Sequence, residues 1–236
     1  MSAAALQTFL LAPAADERIV GDHLPGSAPG YLFLHGLGSI RAGEKSTALL
    51  QHARARGRAC TRFDFRGHGA SSGRIGFTTV SELIADTGLL LDRFGRSILV
   101  GSSLGGLVAA FVAVRRPADV HGLVLLAPAL GFLHRMERRL DADGWLRSGD
   151  GVAFPVHRRV LDDARTLDEI ELPSRITVPL LLVHGSDDAV VPKALSQRFF
   201  AAVPAAKKQL WLVPHGDHRL NQPILEILRR MDALLG

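Results

Sequence analysis

A serine flanked by glycines carries the strongest chemical signal in this sequence. Residues 101–105 read Gly-Ser-Ser-Leu-Gly and fit Gly-x-Ser-x-Gly, the pattern that places Ser103 on a sharp turn between a strand and a helix. Glycine on either side removes the Cβ atoms that would collide in such a turn. The following helix directs its N-terminal dipole and the free amide of Leu104 at negative charge in front of the serine. An apolar stretch precedes Gly101, so the context favours Ser103, and not Ser102, as a nucleophile.

A serine hydroxyl attacks a carbonyl group only with the help of a base, and the base needs an orienting carboxylate. Asp187 and Asp188 both follow the apolar run Pro179–Val183 and are candidate acids. His215 and His218 both follow the last apolar run of the chain and are candidate bases. The residue types alone leave both choices open.

Six short apolar runs alternate with helical patterns along the chain. The runs are Tyr31–Leu34, Ala59–Phe65, Ser97–Val100, Gly122–Leu126, Pro179–Val183 and Gln209–Val213. Such continuous hydrophobicity is typical of strands buried on both faces of a parallel sheet. The predicted helices are Glu44–Arg56, Thr79–Phe94, Leu104–Val114, Ala194–Ala202 and Ile224–Leu235. The alternation predicts a doubly wound, mostly parallel α/β sheet, with Thr8–Leu11 and Arg18–Val20 as an antiparallel edge pair.

Polar loops follow five of these runs. Each loop combines glycine with histidine, aspartate or serine: His35–Ser39, Arg66–Ser71, Gly101–Gly106, His184–Asp188 and Pro214–His218. Ligands bind at the carboxyl ends of strands in open α/β sheets, so these loops are expected to form one site. His35 and His184 are expected to hold loops by hydrogen bonding, and His68 to be a turn residue near the rim.

One stretch, residues 131–172, interrupts the alternation of strands and helices. No clear strand is visible in it, and short helical patterns lie around Leu133–Leu140 and Val160–Ile170. We therefore expect a single α/β domain over residues 1–236, with 131–172 as a small helical cap insertion.

Composition excludes several classes of protein. The 236 residues are 47% hydrophobic and 22% charged, as in an ordinary globular protein. This composition excludes a disordered chain, a collagen-like repeat and a small disulfide-rich protein. Cys60 is the only cysteine and is expected to be a buried core thiol. No apolar run reaches the length of a membrane span, and the N-terminus has no signal-peptide or transit character, so a cytoplasmic location is expected.

The net charge of +5 is concentrated in one segment. Residues 41–74 contain eight basic and two acidic residues, and the rest of the chain is close to neutral. Arg54, Arg56 and Arg58 are interpreted as a solvated helix end and the loop after it, and no nucleic-acid partner is expected. At most, Arg54, Arg56 and Arg58 bias the rim of the site toward anionic acyl substrates. No histidine and acid spacing fits a metal site, and no cofactor is expected.

Taken together, the motifs resemble the α/β-hydrolase superfamily over nearly the whole chain. They are His35-Gly36, Gly101-x-Ser103-x-Gly105, His184-Gly185-x-x-Asp188-x-x-Val191-Pro192 and Gly216-Asp217-His218. The resemblance implies the α/β-hydrolase fold. It also implies a catalytic triad of Ser103 as nucleophile, Asp188 as acid and His218 as base, with the backbone amides of Leu37 and Leu104 as the oxyanion hole.

A finer resemblance is to the palmitoyl-protein thioesterase and acyl-glucuronide esterase branch of that superfamily. It rests on the segment from Gly43 and Lys45 through residues 60–65, on Gly67-x-Gly69-x-Ser71, on residues 98–106 and on residues 217–219. The chain departs from the branch at His35, where the branch has proline, and in the insertion. Without a transit peptide, it resembles a bacterial-type cytosolic relative.

The implied activity is hydrolysis of a small-molecule carboxylic ester or thioester through an acyl-enzyme. The same triad also supports peptidase, C–C hydrolase, perhydrolase or acyltransferase chemistry. A non-catalytic anion-binding protein is the third alternative.

Overall fold

A computed structural model describes residues 4–147 and 153–236. The strands are β1 (Gln7–Leu11), β2 (Ile19–Leu24), β3 (Ser27–Leu34), β4 (Arg58–Phe63), β5 (Ser97–Ser102), β6 (Val120–Leu126), β7 (Trp145–Arg147), β8 (Ala153–Pro155), β9 (Leu180–Gly185) and β10 (Lys208–Val213). The helices are α1 (Glu44–Ala55), α2 (Val80–Phe94), α3 (Leu104–Arg115), α4 (Phe132–Arg135), α5 (Arg158–Thr166), α6 (Lys193–Ala202) and α7 (Ile224–Leu235). No helix within the described ranges is long and apolar enough to cross a membrane.

The main sheet is a mostly parallel sheet with an antiparallel edge. Among the described residues it has eight strands in the order β1-β2-β4-β3-β5-β6-β9-β10. Pairing is parallel from β4 to β10 and antiparallel where β2 meets β1 and β4. The predicted doubly wound α/β fold and its antiparallel edge pair are therefore confirmed.

Alternate residues of the central strands pack against helices on opposite faces of the sheet. Leu99 of β5 packs in a core with Leu107 of α3, whereas its neighbour Val100 packs in the core on the other face with Ile227 of α7. Every residue of β5 is buried. Burial on both faces is the reason that these strands read as continuous apolar runs in the sequence.

The predicted strand Ala59–Phe65 ends two residues early, at Phe63. The buried carboxylate of Asp64 accepts hydrogen bonds from the backbone N–H groups of Arg41 (2.7 Å) and Ala70 (2.9 Å). These bonds draw the chain into a loop immediately after β4, so Phe65 belongs to the loop although its side chain remains in the core.

The insertion contains a feature that the sequence pattern did not reveal. Helices α4 and α5 overlap the two predicted helical patterns but end earlier, and β7 and β8 pair in antiparallel fashion between them. The expectation that this stretch holds no strand was therefore wrong, because strands of three residues are too short to show a periodicity. The predicted insertion also includes residues 148–152, which lie outside the described residues.

A buried carboxylate joins the two ends of the insertion. Glu169 is 6% exposed and accepts hydrogen bonds from the backbone N–H groups of Gly131 and of Leu133, the latter at 3.2 Å. These amides belong to the first turn of α4, which would otherwise have unsatisfied donors. Glu169 therefore fixes the helix that carries Phe132 over the carboxyl edge of the sheet.

Candidate active site

Ser103 lies between β5 and α3, as the N-cap residue of α3, in a conformation that few residues with side chains adopt. Its φ of 52° is in the left-handed region. The flanking glycines allow the close approach: a Cβ at Gly105 would lie 2.2 Å from the carbonyl oxygen of Leu34, and one at Gly101 would lie 2.4 Å from that of Gly105. The turn therefore requires glycine at both positions and projects the Ser103 hydroxyl above the sheet edge.

The structure brings Ser103, His218 and Asp188 into one hydrogen-bonded series. His218 Nε2 lies 3.0 Å from Ser103 Oγ, and His218 Nδ1 lies 2.7 Å from Asp188 Oδ2. Because a carboxylate only accepts, Nδ1 carries the proton in this arrangement and Nε2 is free to accept the serine proton. These side chains come from loops after β5, β9 and β10.

Asp188 is the more deeply enclosed of the two candidate acids. Its side chain has no exposed surface, and Oδ1 accepts the backbone N–H groups of Val190 at 2.8 Å and Val191 at 2.9 Å. Burial acts to raise the pKa of this carboxyl, but the hydrogen bonds from His184 and His218 outweigh burial and hold the pKa well below its usual range. The carboxylate is therefore ionised at neutral pH.

The alternative acid and base pair with each other away from Ser103. His215 Nδ1 lies 3.3 Å from Asp187 Oδ2, and these side chains are 93% and 59% exposed. Surface ion pairs of this kind contribute little to stability. Among the two acids and two bases that the sequence left open, the structure thus brings Asp188 and His218 to the serine.

Two backbone amides near the Ser103 hydroxyl have no protein acceptor. Within residues 4–147 and 153–236, neither the N–H of Leu37 nor that of Leu104 donates a hydrogen bond. Gly36 brings the first of these loops against Ser103, since a Cβ at Gly36 would lie 3.3 Å from the Cβ of Ser103. The Leu104 amide belongs to the first turn of α3, where such donors are free.

Two neutral histidines hold the loop that carries Leu37. His35 accepts the backbone N–H of Phe65 at Nε2 (3.0 Å) and donates from Nδ1 to the carbonyl oxygen of Gly36 (2.8 Å). Burial, and next the neighbouring His68, lower the pKa of His35 to about 3. The expectation that His35 holds a loop is confirmed.

His68 has a function that sequence reasoning missed. It is 9% exposed, and its Nε2 accepts the backbone N–H of Gly38 at 3.1 Å. Nδ1 faces the carbonyl oxygen of Arg66 at 3.3 Å, and burial lowers the pKa of His68. One feature of the sequence could have indicated this contact. His68 lies in the loop after β4, and β4 is parallel to its neighbour β3, so the loops after these two strands lie at the same edge of the sheet.

Comparison with protein families identifies the family of this chain. The family described as serine aminopeptidase, S33, matches residues 31–158 and 155–222, which is more than half of the chain. The chain belongs to this family. Its similarity to α/β-hydrolases, predicted from the motifs, is therefore confirmed, and so is the prediction that it is a hydrolase.

Relatives of this S33-family protein include mitochondrial thioesterases. It is 29% identical over 214 residues to the human mitochondrial palmitoyl-protein thioesterase ABHD10, covering 84% of this chain and 70% of the relative. The solved structure of α/β-hydrolase domain-containing protein 10 from mouse superposes with a TM-score of 0.84 at 26% identity, over 97% of this chain and 98% of that one. A putative hydrolase from Agrobacterium vitis S4 superposes with a TM-score of 0.80 at 26% identity, over 99% of each chain. The predicted resemblance to the palmitoyl-protein thioesterase branch is confirmed.

A cleft of about 590 Å³ opens above Ser103 in this S33-family protein. This volume is in the usual range for small-molecule sites. The insertion contributes Phe132, Arg139 and Arg147 to its walls. Charged side chains of both signs line the cleft: Glu44, Lys45, Arg139, Arg147, Asp187, Asp217 and Arg219.

A second, smaller cavity of about 40 Å³ adjoins the cleft beneath the insertion. The two share Leu37, Leu104 and Phe132 as walls. The rest of the small cavity is mostly apolar. Its apolar side chains come from the loop before α2, from α2 and from the insertion: Ile75, Val80, Leu83, Met136, Leu146, Phe154, Val156 and Val160. Arg66 and His68, from the loop after β4, also line it.

The three arginines expected at the rim lie elsewhere. Arg54 and Arg56 are at the C-terminal end of α1, and Arg58 begins β4, at the edge of the sheet opposite Ser103. The prediction that they bias the rim toward anionic substrates was therefore wrong.

Much of the charge of the basic segment 41–74 is neutralised by acids that are distant in the sequence. Arg66 forms a bidentate salt bridge with the buried Asp86, in which Nε and Nη2 lie 2.7 and 2.9 Å from the two carboxylate oxygens. Arg62 Nε lies 3.0 Å from Asp22 Oδ2. Local charge counting could not find these partners.

Cys60 does not contribute to the site. It lies on β4 with 1% of its surface exposed, and burial raises the pKa of its thiol to about 12. It is therefore a core residue, as predicted. Over the described residues, no group of three or more His, Cys, Asp or Glu side chains could hold a metal ion.

Proposed function

We propose that this protein is a serine hydrolase that cleaves a carboxylic ester or thioester through an acyl-enzyme. The observation that carries the proposal is the hydrogen-bonded series from Ser103 Oγ through His218 to Asp188, with distances of 3.0 and 2.7 Å. The name of the human relative, a palmitoyl-protein thioesterase, supports an acyl substrate.

In the acylation step, Ser103 Oγ attacks the acyl carbonyl carbon while His218 Nε2 takes the hydroxyl proton. The carbonyl electron pair moves onto oxygen, and the oxyanion accepts hydrogen bonds from the amides of Leu37 and Leu104. When the C–O or C–S bond breaks, the leaving oxygen or sulfur receives the proton from His218. An alcohol or thiol departs and Ser103 is left esterified.

In the deacylation step, water attacks the same carbonyl carbon and gives a proton to His218. The bond to Ser103 Oγ breaks, the serine regains its proton, and the carboxylic acid is released. Asp188 remains ionised throughout, since it orients the imidazole and stabilises its protonated form.

The two cavities suggest where the substrate's two parts bind. We assign the acyl chain to the small apolar cavity, because it lies behind Leu37 and Leu104 and is walled by aliphatic and aromatic side chains. A volume of about 40 Å³ has room for about three water-sized groups, which corresponds to a short acyl chain. The leaving group would occupy the wider, charged cleft.

A fluorophosphonate probe tests the nucleophile. The wild type should be labelled at Ser103, Ser103→Ala should not, and Ser102→Ala should be labelled like the wild type. Equal labelling of Ser103→Ala would overturn the proposal.

A substrate panel tests the reaction. It should compare p-nitrophenyl esters of rising chain length with acyl-CoA thioesters, and turnover of either supports the proposal. The family description favours a second candidate, a peptidase that uses the same side chains on an amide. Turnover of amino-acid p-nitroanilides with none of any ester or thioester would establish that candidate instead.

A further inference from the structure

A second histidine lies against Asp188, on the side away from His218. His184 is in β9, and its side chain has no exposed surface. Its Nε2 forms a hydrogen bond of 2.9 Å with the carbonyl oxygen of Val191, and the same nitrogen lies 3.1 Å from Asp188 Oδ2. Both oxygens are acceptors, so Nε2 carries the proton and its N–H also interacts with the Asp188 carboxylate.

The other nitrogen of His184 has a partner that completes this arrangement. Ser196, on α6, is fully buried, and its Oγ lies 2.7 Å from His184 Nδ1. With the ring proton on Nε2, Nδ1 accepts and the serine hydroxyl donates. The contact therefore fixes both the tautomer and the orientation of the ring.

We infer that His184, oriented by Ser196, is a positioning residue that holds the Asp188 carboxylate in the orientation that His218 requires. The inference rests on the proposed function, because it concerns the acid of the proposed triad. It goes beyond that function, because it assigns a role to two buried side chains that the reaction steps do not use.

The contacts on the carboxylate explain why a further donor is needed. The N–H groups of Val190 and Val191 hold Oδ1, at 2.8 and 2.9 Å. Oδ2 must receive the N–H of His218, a side chain that also moves protons during the reaction. His184 contacts Oδ2 from the protein interior, where its loss leaves a buried acceptor with fewer partners.

The contact between His184 and Asp188 also affects how strongly the Asp188 carboxylate attracts a proton on His218. A hydrogen bond from a neutral donor takes up part of the negative charge of Asp188, which moderates its attraction for protonated His218. Without this donor, His218 should hold its proton to a higher pH. The other charged or titratable groups around the loop are the same in every variant below: Asp187, Lys193, His215, Asp217 and Arg219.

Three variants test the inference. His184→Leu removes the donor at similar volume, His184→Gln offers an amide N–H in place of the Nε2 donor, and Ser196→Ala removes the group that orients the ring. For His184→Leu we expect kcat to fall on the order of 10- to 100-fold with little change in KM, the scale of a misplaced catalytic group. The acidic limb of the kcat/KM profile should move to higher pH.

The conservative variants separate positioning from packing. His184→Gln should recover most of kcat and return the acidic limb to the wild-type pH, and Ser196→Ala should fall between the wild type and His184→Leu. Wild-type kcat and an unmoved limb in His184→Leu would overturn the inference. If His184→Leu fails to fold, Ser196→Ala decides: a lower kcat with a moved limb supports the inference, and wild-type kinetics overturns it.

Labelling of the wild type keeps the two hypotheses apart. A wild type that no fluorophosphonate labels at Ser103 would overturn the proposed function. A labelled and active wild type beside unaffected variants at positions 184 and 196 would overturn this inference alone.

Discussion

His68 Nε2 accepts a hydrogen bond from the backbone N–H of Gly38 at 3.1 Å. The contact ties the loop after β4 to the loop after β3, next to the amide of Leu37. A neutral imidazole is needed, because a protonated ring has no acceptor. The alignment of the proposed oxyanion donor therefore depends on a side chain from a neighbouring loop.

His68→Ala should lower kcat about 10-fold. The reason is that complete loss of an oxyanion donor costs about 100- to 1000-fold, and a loosened donor costs less. Steady-state kinetics on a p-nitrophenyl ester measures the effect. His68→Gln, which offers an amide oxygen to Gly38, should retain more activity, and equal losses in the two variants would contradict this role.

Asp188→Asn should lower kcat by about four orders of magnitude, because an amide no longer fixes the His218 tautomer that accepts the serine proton. Asp187→Asn is the matched control one residue away, and its kcat should stay within a factor of two. Burst and steady-state kinetics compare the two variants. A comparable loss in both would mean that the acid has been assigned to the wrong residue.

Gly105→Ala should destabilise the protein and abolish labelling of Ser103. The new Cβ would lie 2.2 Å from the carbonyl oxygen of Leu34 and 2.5 Å from that of His35, so α3 must shift away from β3. A loss of about 3 kcal/mol in the free energy of unfolding is expected, at the upper end for single substitutions. Urea unfolding measures it.

Gly88→Ala in α2 is the control for that experiment. Within 4 Å, its Cβ would meet only the side chain of Arg116, whose Nη1 would lie 3.1 Å away. Alanine favours a helix over glycine by up to about 1 kcal/mol, so stability should change little or rise. If Gly105→Ala were as stable and active as Gly88→Ala, the close packing of α3 on β3 would be disproved.

His35 should make the protein less stable in mild acid. Burial, and next His68, lower its pKa in the folded state from 6.5 to about 3. As the pH falls below 6.5, His35 becomes protonated in the unfolded chain but stays neutral in the folded chain. The free energy of unfolding therefore declines until about pH 3, where His35 is protonated in both states.

The measurement is urea unfolding at pH 7.5 and pH 4.5. Between these values the wild type should lose about 2 kcal/mol more than His35→Gln, whose amide oxygen still accepts the N–H of Phe65. His215→Gln, at an exposed position, should behave like the wild type. The same loss in all three proteins would show that other groups cause the acid sensitivity.

The small cavity should set the acyl-chain length. Met136→Ala enlarges it, and the preferred p-nitrophenyl ester should become longer, since each additional buried methylene contributes about 0.8 kcal/mol. Val156→Phe fills it and should shorten the preferred chain. The ratio of kcat/KM across the ester series measures both, and an unchanged preference in each variant would place the acyl chain elsewhere.

The serine turn and the order of strands and helices were predictable because they depend on neighbouring residues. Gly101, Ser103 and Gly105 restrict their own backbone, and strands such as β5 and β9 are apolar along their whole length because both faces are covered. The meeting of the polar loops followed from parallel topology.

Two other features of the structure could not be predicted from local sequence patterns, each for its own reason. Strands β7 and β8 are too short to have a period. Counting charges in the segment 41–74 overlooked Asp86 and Asp22, which neutralise its arginines from distant positions.

Residue types identified two acids and two bases, and the family motif favoured Asp188 and His218, but only the folded chain shows which of them reach Ser103. Asp188 and Asp187 are adjacent in sequence, yet the turn after β9 buries one carboxylate between two histidines and leaves the other in solvent. His68 meets Gly38 across 30 residues, and His184 meets Ser196 across 12. Such contacts depend on the relative positions of separate loops and helices, which the packing of the whole sheet sets, and no local pattern encodes them.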